Sequence, residues 1–435
     1  MRTIQRRSAP LRGEITVPGD KSISHRAVML GSIADGTTEI TGFLSGADCL
    51  STVDCFRRLG VEISVNEKEG RVTVCGKGLR GLRPVSDPVS LYTGNSGTTT
   101  RIISGILAPQ PFTSLISGDA SIATRPMRRI MQPLSRMGAH IESVNGNDCA
   151  PLRIEGRDLH GITYQSPVAS AQVKSSILCA GLYAEGVTEI IEPSLSRDHT
   201  ERMLRAFGAE IDSFEEKDGW HARTRTCREL QARRIHVPGD ISSAAYFIAA
   251  ASLVPGSEVL IRGVGINPTR AGMIEVAQSM GADITMLDIR QDAAEPSADL
   301  LVRYAPLHGV TIGGSVIPAL IDEIPVLAVM AAAAEGTTYI KDAAELKVKE
   351  TDRIDTITKG LSAMGCSVVP QNDGMIIEGN NGAPLTGSAI KTYGDHRIAM
   401  AFSVAALAAR GETVIDDERC VDVSYPGFYR DLDSL

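Results

Sequence analysis

Six short stretches of this chain stand at the expected starts of helices, and five of them set Ser, Thr, Asn or Gly there, often beside a charge. They are GDKSISHR (19–26), GNSGTTTR (94–101), ASAQVKSS (169–176), GDISSAAY (239–246), ALIDEIPV (319–326) and GDHRIAMA (394–401). Small polar residues there are ordinary caps that accept from the orphan N–H groups of a first turn. Cations are not, because the positive end of the helix dipole disfavours them. They gain at such a place when an anion is bound, since N–H groups, dipole and cation then converge on one phosphate or carboxylate. Lys21, Arg26, Arg101, Lys174 and Arg397 all lie in these starts or within about two turns of them. Singly, each could be a solvated surface charge; recurring in register, they point to a strongly anionic small ligand held between two halves of the chain.

Three further stretches carry the same chemistry. SIATRPMRRI puts Arg125 before Pro126, which holds it extended. SLSRDHTERM offers Ser196, Arg197 and Thr200, and LKVKETDRID offers Lys349, Glu350 and Arg353. Acidic residues are scarce among the first-helix starts, so Asp322 and Glu323 in IPALIDEIPVLAVM stand out. A carboxylate there is either a helix cap or a base kept ionised by surrounding cations. The His and Glu of RDHTE, at 199 and 201, would diverge on a helix and do not read as metal ligands. The chain has no Gly-x-Ser-x-Gly elbow, no dinucleotide fingerprint and no Walker loop, as GNSGTTTR lacks the Lys-Ser pair that loop requires.

Composition narrows the classes. A net charge of −8 excludes a general polyanion-binding field, and 4% aromatic residues leave few platforms for stacked bases, so no nucleic-acid partner is expected. The longest apolar runs are too short to cross a bilayer, and MRTIQRRSAPLRG lacks the apolar segment of a secretory signal. A cytoplasmic protein without a membrane partner is the expectation. Eight cysteines are scattered without metal-site spacing, so neither a metal nor a disulfide framework is expected.

The elements that must position these residues form a repeat. FRRLGVEISV, LSRMGAHIES, LRAFGAEIDS, AQSMGADITM and LSAMGCSVVP each read as a helix end, a glycine C-cap and a strand. Those glycines recur 70 to 84 residues apart, and each is preceded by an apolar helix, a turn and a strand. The pattern predicts six units of strand, helix, strand, helix, strand, the sixth cut short by the end of the chain. The phrase VPGD opens the first unit at Val17 and the fourth at Val237. Three units per half, with the first nineteen residues a strand belonging to the later half, predict an α/β protein of two similar domains. One is discontinuous, 1–19 and 240–435; the other, 20–239, is inserted, and the two VPGD crossings would form a hinge.

With TRPM (124–127), SAQVKS (170–175), RDHTE (197–201), GDISSAA (239–245), NPTR (267–270), IDE (321–323), KETDR (349–353) and DHRIAM (395–400) set beside GDKSISHR and GNSGTTTR, the chain resembles the 5-enolpyruvylshikimate-3-phosphate synthase family along essentially all of its 435 residues. RDHTE, GDISSAA and NPTR resemble the second class of that family, some members of which tolerate glyphosate. The resemblance implies an inside-out α/β fold of two domains, each of three βαβαββ units, with the active site in the interdomain cleft. It implies transfer of the enolpyruvyl group of phosphoenolpyruvate to the 5-hydroxyl of shikimate 3-phosphate, in the route to chorismate and the aromatic amino acids. No cofactor and no metal is implied, and a monomer is expected.

Carried over by motif, Lys21, Ser22, Arg26, Ser170, Gln172, Arg197, Asp322 and Lys349 would meet shikimate 3-phosphate. Lys21, Gly97, Arg125, Gln172, Arg353 and Arg397 would meet phosphoenolpyruvate. Asp322 would take the hydroxyl proton, and Glu350 with Lys21 would handle the proton at the methylene carbon. The C-terminal VDVSYPGF departs from many first-class members, with Val423 where they carry a Lys. A related UDP-N-acetylglucosamine enolpyruvyl transferase is the nearest alternative, but the loop PQPFTSLISGDASIATRPM lacks the Cys that enzyme uses. A two-lobed anion-binding protein without chemistry is the alternative of another class.

Overall fold

Five glycines close helices in the left-handed conformation that the sequence pattern asks for: φ is +85° at Gly60, +101° at Gly138, +97° at Gly208, +98° at Gly281 and +83° at Gly365. Each is followed by a strand, and each strand turns back on another that the sequence pattern did not distinguish. Glu62–Asn66 pairs antiparallel with Arg71–Lys77, and His140–Ser143 with Leu152–Glu155. The repeat therefore has six elements, βαβαββ, as the family resemblance implies, where the glycine pattern taken alone gives five. The missed strand is the return arm of a hairpin, which contributes no glycine cap of its own.

The computed structural model describes residues 1–291 and 294–435. Two units divide the chain: Met1–Pro18, Pro238–Gln291 and Pro296–Leu435 in the first, Gly19–Val237 with Ala294 and Glu295 in the second. Neither the recruitment of Glu295 nor the segmentation around it was foreseen.

Among the described residues the second unit holds three four-stranded sheets of one topology. In one, Val89–Tyr92 runs parallel to Thr113–Ser117, which is antiparallel to Leu152–Glu155, itself antiparallel to His140–Ser143. The first unit repeats that order twice. Its remaining sheet joins Ala389–Ile390 and Glu412–Ile415 in parallel, and Arg2–Gln5 adds antiparallel to Glu412–Ile415. A second N-terminal strand, Arg12–Thr16, lies parallel to Glu258–Gly265. The first nineteen residues thus carry two strands, serving two sheets, where one was expected. Arg234–His236 supplies the matching first strand to Asp35–Thr41 in the second unit.

The chain passes between units where VPGD stands, leaving the first after Pro18 and re-entering it at Pro238. In both copies the Asp is a helix cap: Asp20 Oδ1 accepts from Ile23 N at 2.9 Å, and Asp240 Oδ1 from Ser242 N at 2.8 Å.

The first helix of each repeat forms the centre of its unit. Ile241–Leu253 is buried along its whole length, as a helix apolar on every face must be. Gly97–Leu107 and Ala171–Gly181 pack backbone to backbone, since a Cβ at Gly105 would fall 2.0 Å from Ser176 O. Central helices packed this way can offer only their ends to a ligand. Among the described residues no single helix is long and apolar enough to cross a membrane, and all eight cysteines are free thiols.

Candidate active site

In the second unit the starts of Gly97–Leu107 and Ala171–Gly181 meet through side chains. Gln172 Nε2 donates to Thr98 Oγ1 at 3.1 Å, and Arg101 Nη1 donates to Gln172 Oε1 at 2.6 Å. Arg125 has φ −78° and ψ 129°, the extended state that its following proline favours, and its guanidinium reaches Asn95 Oδ1 at 2.8 Å and Ser121 Oγ at 3.0 Å. Gly97 sits between the two arginines: a Cβ there would lie 2.7 Å from Arg101 Nη1 and 3.4 Å from Arg125 Nη1. Gly97, Arg125 and Gln172 are thereby brought together, with Arg101 as a fourth member.

The Lys21–Ser32 helix brings a second group. Lys21 forms an ion pair with Asp48. Arg26 is buried, with Nε donating to Thr200 Oγ1 at 2.6 Å, Nη2 to Ser175 Oγ at 2.8 Å and Nη1 to Ser22 O at 2.9 Å. Those bonds tie the helix to the segment that carries Arg197. His25 is buried between Thr52 Oγ1, 2.7 Å from Nδ1, and Ser96 Oγ, 3.5 Å from Nε2. Burial, aided by Lys21 and Arg26, pushes its pKa well down, so it serves this bundle as a neutral polar link.

One sequence expectation is corrected here. Lys174 does not reach toward a ligand; it is buried, with Nζ 2.8 Å from Glu201 Oε1 and 3.0 Å from Glu192 Oε2. Burial works against its charge, but the two carboxylates overcome that and hold its pKa above the usual lysine value.

In the first unit, the N-cap position of Ile324–Ala333 falls on Glu323, not on Asp322. Asp322 Oδ1 lies 3.5 Å from both Lys349 Nζ and Arg353 Nη1, and its Oδ2 lies 3.8 Å from Arg397 Nη2. Arg397 Nη1 also donates to Asp322 O at 3.2 Å. Arg353 is 1% exposed and is held by Asp395, 2.8 Å from its Nε, and by Glu350, 2.5 Å from its Nη2. Its Nη1 has no hydrogen-bond partner, which leaves a buried donor for an incoming anion. Desolvation would raise the Glu350 carboxyl, but Arg353 and then His396 outweigh it and bring its pKa to about 2.

Behind Asp322 lies a cluster that sequence reasoning quoted without giving it a role. Glu323 is fully buried, takes both oxygens to Arg270 Nη1 at 3.0 Å and accepts from the Ser242 hydroxyl. Arg397 Nη1 is 3.7 Å from Glu323 Oε1, so Asp322 and Glu323 flank one guanidinium. NPTR and GDISSAA therefore meet at Glu323. Asp48 and Asp395 were likewise missed, Asp395 although it lies within a quoted motif, because a capping or pairing carboxylate has no spacing signal.

Comparison with known proteins adds the following. The EPSP synthase (3-phosphoshikimate 1-carboxyvinyltransferase) family model matches residues 5–432. A 3-phosphoshikimate 1-carboxyvinyltransferase of Brevibacillus brevis is 56% identical over 420 residues, covering 96% of each chain. One from Bacillus thuringiensis subsp. konkukian is 52% identical, covering 100% of this chain and 99% of its own. The EPSP synthase structure from Acinetobacter baumannii superposes with a TM-score of 0.90 at 45% identity, over 99% of this chain and 97% of that one. The enolpyruvyl transferase NikO from Streptomyces tendae, at 17% identity and a TM-score of 0.77, shares the fold.

Proposed function

The chain belongs to the EPSP synthase family, and from that premise we propose which of its residues carry the reaction. The reaction is transfer of the enolpyruvyl group of phosphoenolpyruvate to the 5-hydroxyl of shikimate 3-phosphate, with release of phosphate. Both substrates are phosphorylated carboxylates, the ligand class that cationic helix starts serve.

Lys21, Ser22, Arg26, Ser170, Gln172 and Arg197 take shikimate 3-phosphate, and Asp322 with Lys349 takes its reacting hydroxyl. Phosphoenolpyruvate takes Lys21, Gly97, Arg125, Gln172, Arg353 and Arg397. Support comes from the Gly97–Arg125–Gln172 grouping, from Arg353 Nη1, which has an ion-pair neighbour in Asp322 but no hydrogen-bond partner, and from the Arg26 bonds to Ser175 and Thr200.

In the addition step the 5-oxygen bonds to C2 of phosphoenolpyruvate as its proton passes to Asp322, and C3 gains a proton to become a methyl group. In the elimination step that methyl loses a proton, the double bond re-forms and the C2–O bond to phosphate breaks. Glu350 and Lys21 serve the proton traffic at C3, and the arginines stabilise the departing phosphate. A Glu350 pKa near 2 keeps that residue ionised without substrate. An anion placed on Arg353 offsets the charge that depresses it, so phosphoenolpyruvate itself raises Glu350 toward a state that can carry a proton.

The carrying observation is the placement of Asp322 within 3.5 to 3.8 Å of Lys349, Arg353 and Arg397. Set among three cations, the carboxylate is placed to accept the hydroxyl proton. We further propose that the enzyme works as a cytoplasmic monomer. Phosphate release with both substrates present tests the reaction: tight binding of both without release would sink it.

A further inference from the structure

Resting on that reading, we propose that Glu192 is a positioning residue for the phosphate of shikimate 3-phosphate, fixing Ser170 and the Ser196–Arg197 segment at one separation. Glu192 ends the strand Val187–Glu192 and is 1% exposed. Its two oxygens serve two different segments. Oε1 accepts from Ser170 N at 2.7 Å. Oε2 accepts from Ser196 Oγ at 2.7 Å and from Ser196 N at 3.4 Å.

The Ser170 bond explains an oddity of the helix that follows. Serine is among the best N-cap residues, and Ser170 occupies the N-cap of Ala171–Gly181, yet its side chain makes no cap bond. Glu192 holds its amide from behind instead. The hydroxyl and the first-turn N–H groups are thereby not spent on each other and can both address an anion.

Lys174 makes the arrangement stiff. Besides Glu192 and Glu201, its Nζ donates to Ser196 O at 3.1 Å. Ser196 is thus held through its amide, hydroxyl and carbonyl by one buried ion cluster. Glu201 belongs to the helix His199–Ala206, so the same ammonium ties the start of that helix to the start of Ala171–Gly181. Buried charges separate only at high cost, which makes the spacing between the two segments a fixed dimension of the unit. A displacement of about 1 Å at such a site can cost up to ~10²-fold in rate or affinity.

The test is Glu192→Gln in the full chain, with KM for each substrate and kcat measured beside the wild type. The amide keeps one acceptor, but turns an NH2 toward Ser196 or Lys174. The expected result is a KM for shikimate 3-phosphate raised about tenfold, with KM for phosphoenolpyruvate within about twofold and kcat little changed. A merely structural role would lower the active fraction, reducing kcat and leaving both KM values alone; that pattern, or a KM for shikimate 3-phosphate within twofold of wild type, overturns the assignment. Should Glu192→Gln fail to fold, Ser196→Ala removes a single bond and should raise the same KM about threefold, and an unchanged value overturns the assignment equally. A wild type that releases no phosphate would instead overturn the underlying reading and this assignment with it; an active wild type separates the two failures.

Discussion

Asp322 faces three cations and is a different kind of residue from its neighbour Glu323, although the two are adjacent in sequence. Glu323 is fully buried and its two oxygens are engaged by Arg270, whereas Asp322 keeps 16% of its side chain open. An accessible, ionised carboxylate can take a proton, and an enclosed one cannot without breaking its pairs. Asp322→Asn should therefore cut kcat by ~10² or more while leaving KM for shikimate 3-phosphate within several-fold; unchanged turnover would remove Asp322 from the base role. Gly97 acts by what it lacks. Gly97→Ala pushes on Arg101 and Arg125, so KM for phosphoenolpyruvate should rise about tenfold with kcat retained, and an unaffected KM would separate Gly97 from that substrate. Glu350 carries a pH signature. Its folded pKa, about 2, lies below the ordinary glutamate value of 4.5, so its ion pair contributes stability above pH 4.5 that fades as pH falls toward 2. The thermal midpoint of wild type should exceed that of Glu350→Gln at pH 6, and the gap should close on acidification; a constant gap would contradict the ion pair.

Elements show which parts of this molecule were legible in its sequence. The glycine caps were, because a left-handed residue at a helix end is a local steric demand that only glycine meets cheaply. The six first helices were, because polar starts and apolar bodies recur in register. Lys174 was misread for a geometric reason: it lies three residues beyond the helix start at Ala171 and Arg101 four beyond the start at Gly97, and that one position turns Lys174 inward to Glu192 while Arg101 reaches Gln172. Sequence gives the turn of the helix but not which face a neighbouring strand covers. Glu192, Glu323 and Arg270 were invisible as a group for a related cause. Buried ion pairs join residues tens of positions apart, such as 270 and 323, with no spacing rule. The Glu323 cluster nevertheless has a measurable consequence. Arg270→Met leaves a buried carboxylate without its main partner and should destabilise the first unit by about 3 kcal/mol; Arg270→Met with Glu323→Leu should recover most of that in denaturant midpoint. Equal loss in single and double variants would show that the pair is not the stabilising contact.

At the scale of the molecule, the two crossings divide chemistry as well as chain. Gly19–Val237 contains all four strands of its first sheet, including Arg234–His236, so its three sheets need no strand from elsewhere. The other unit is different: it borrows Arg2–Gln5 and Arg12–Thr16 from before the first crossing. A fragment spanning 19–237 should consequently fold cooperatively alone, with a core of its own, whereas 238–435 without the N-terminal strands should not. The proposed contacts to the phosphate of shikimate 3-phosphate all lie in that fragment, while Asp322, Lys349 and Glu350 lie outside it. The folded fragment should therefore bind shikimate 3-phosphate at least about tenfold more weakly than the whole chain, the loss expected for a charged hydrogen bond or two, and should release no phosphate. Calorimetric titration of the fragment decides the matter. A folded fragment that shows no affinity for shikimate 3-phosphate would move the phosphate contacts to the other unit, and a fragment that turns over would remove Asp322 and Glu350 from the chemistry altogether.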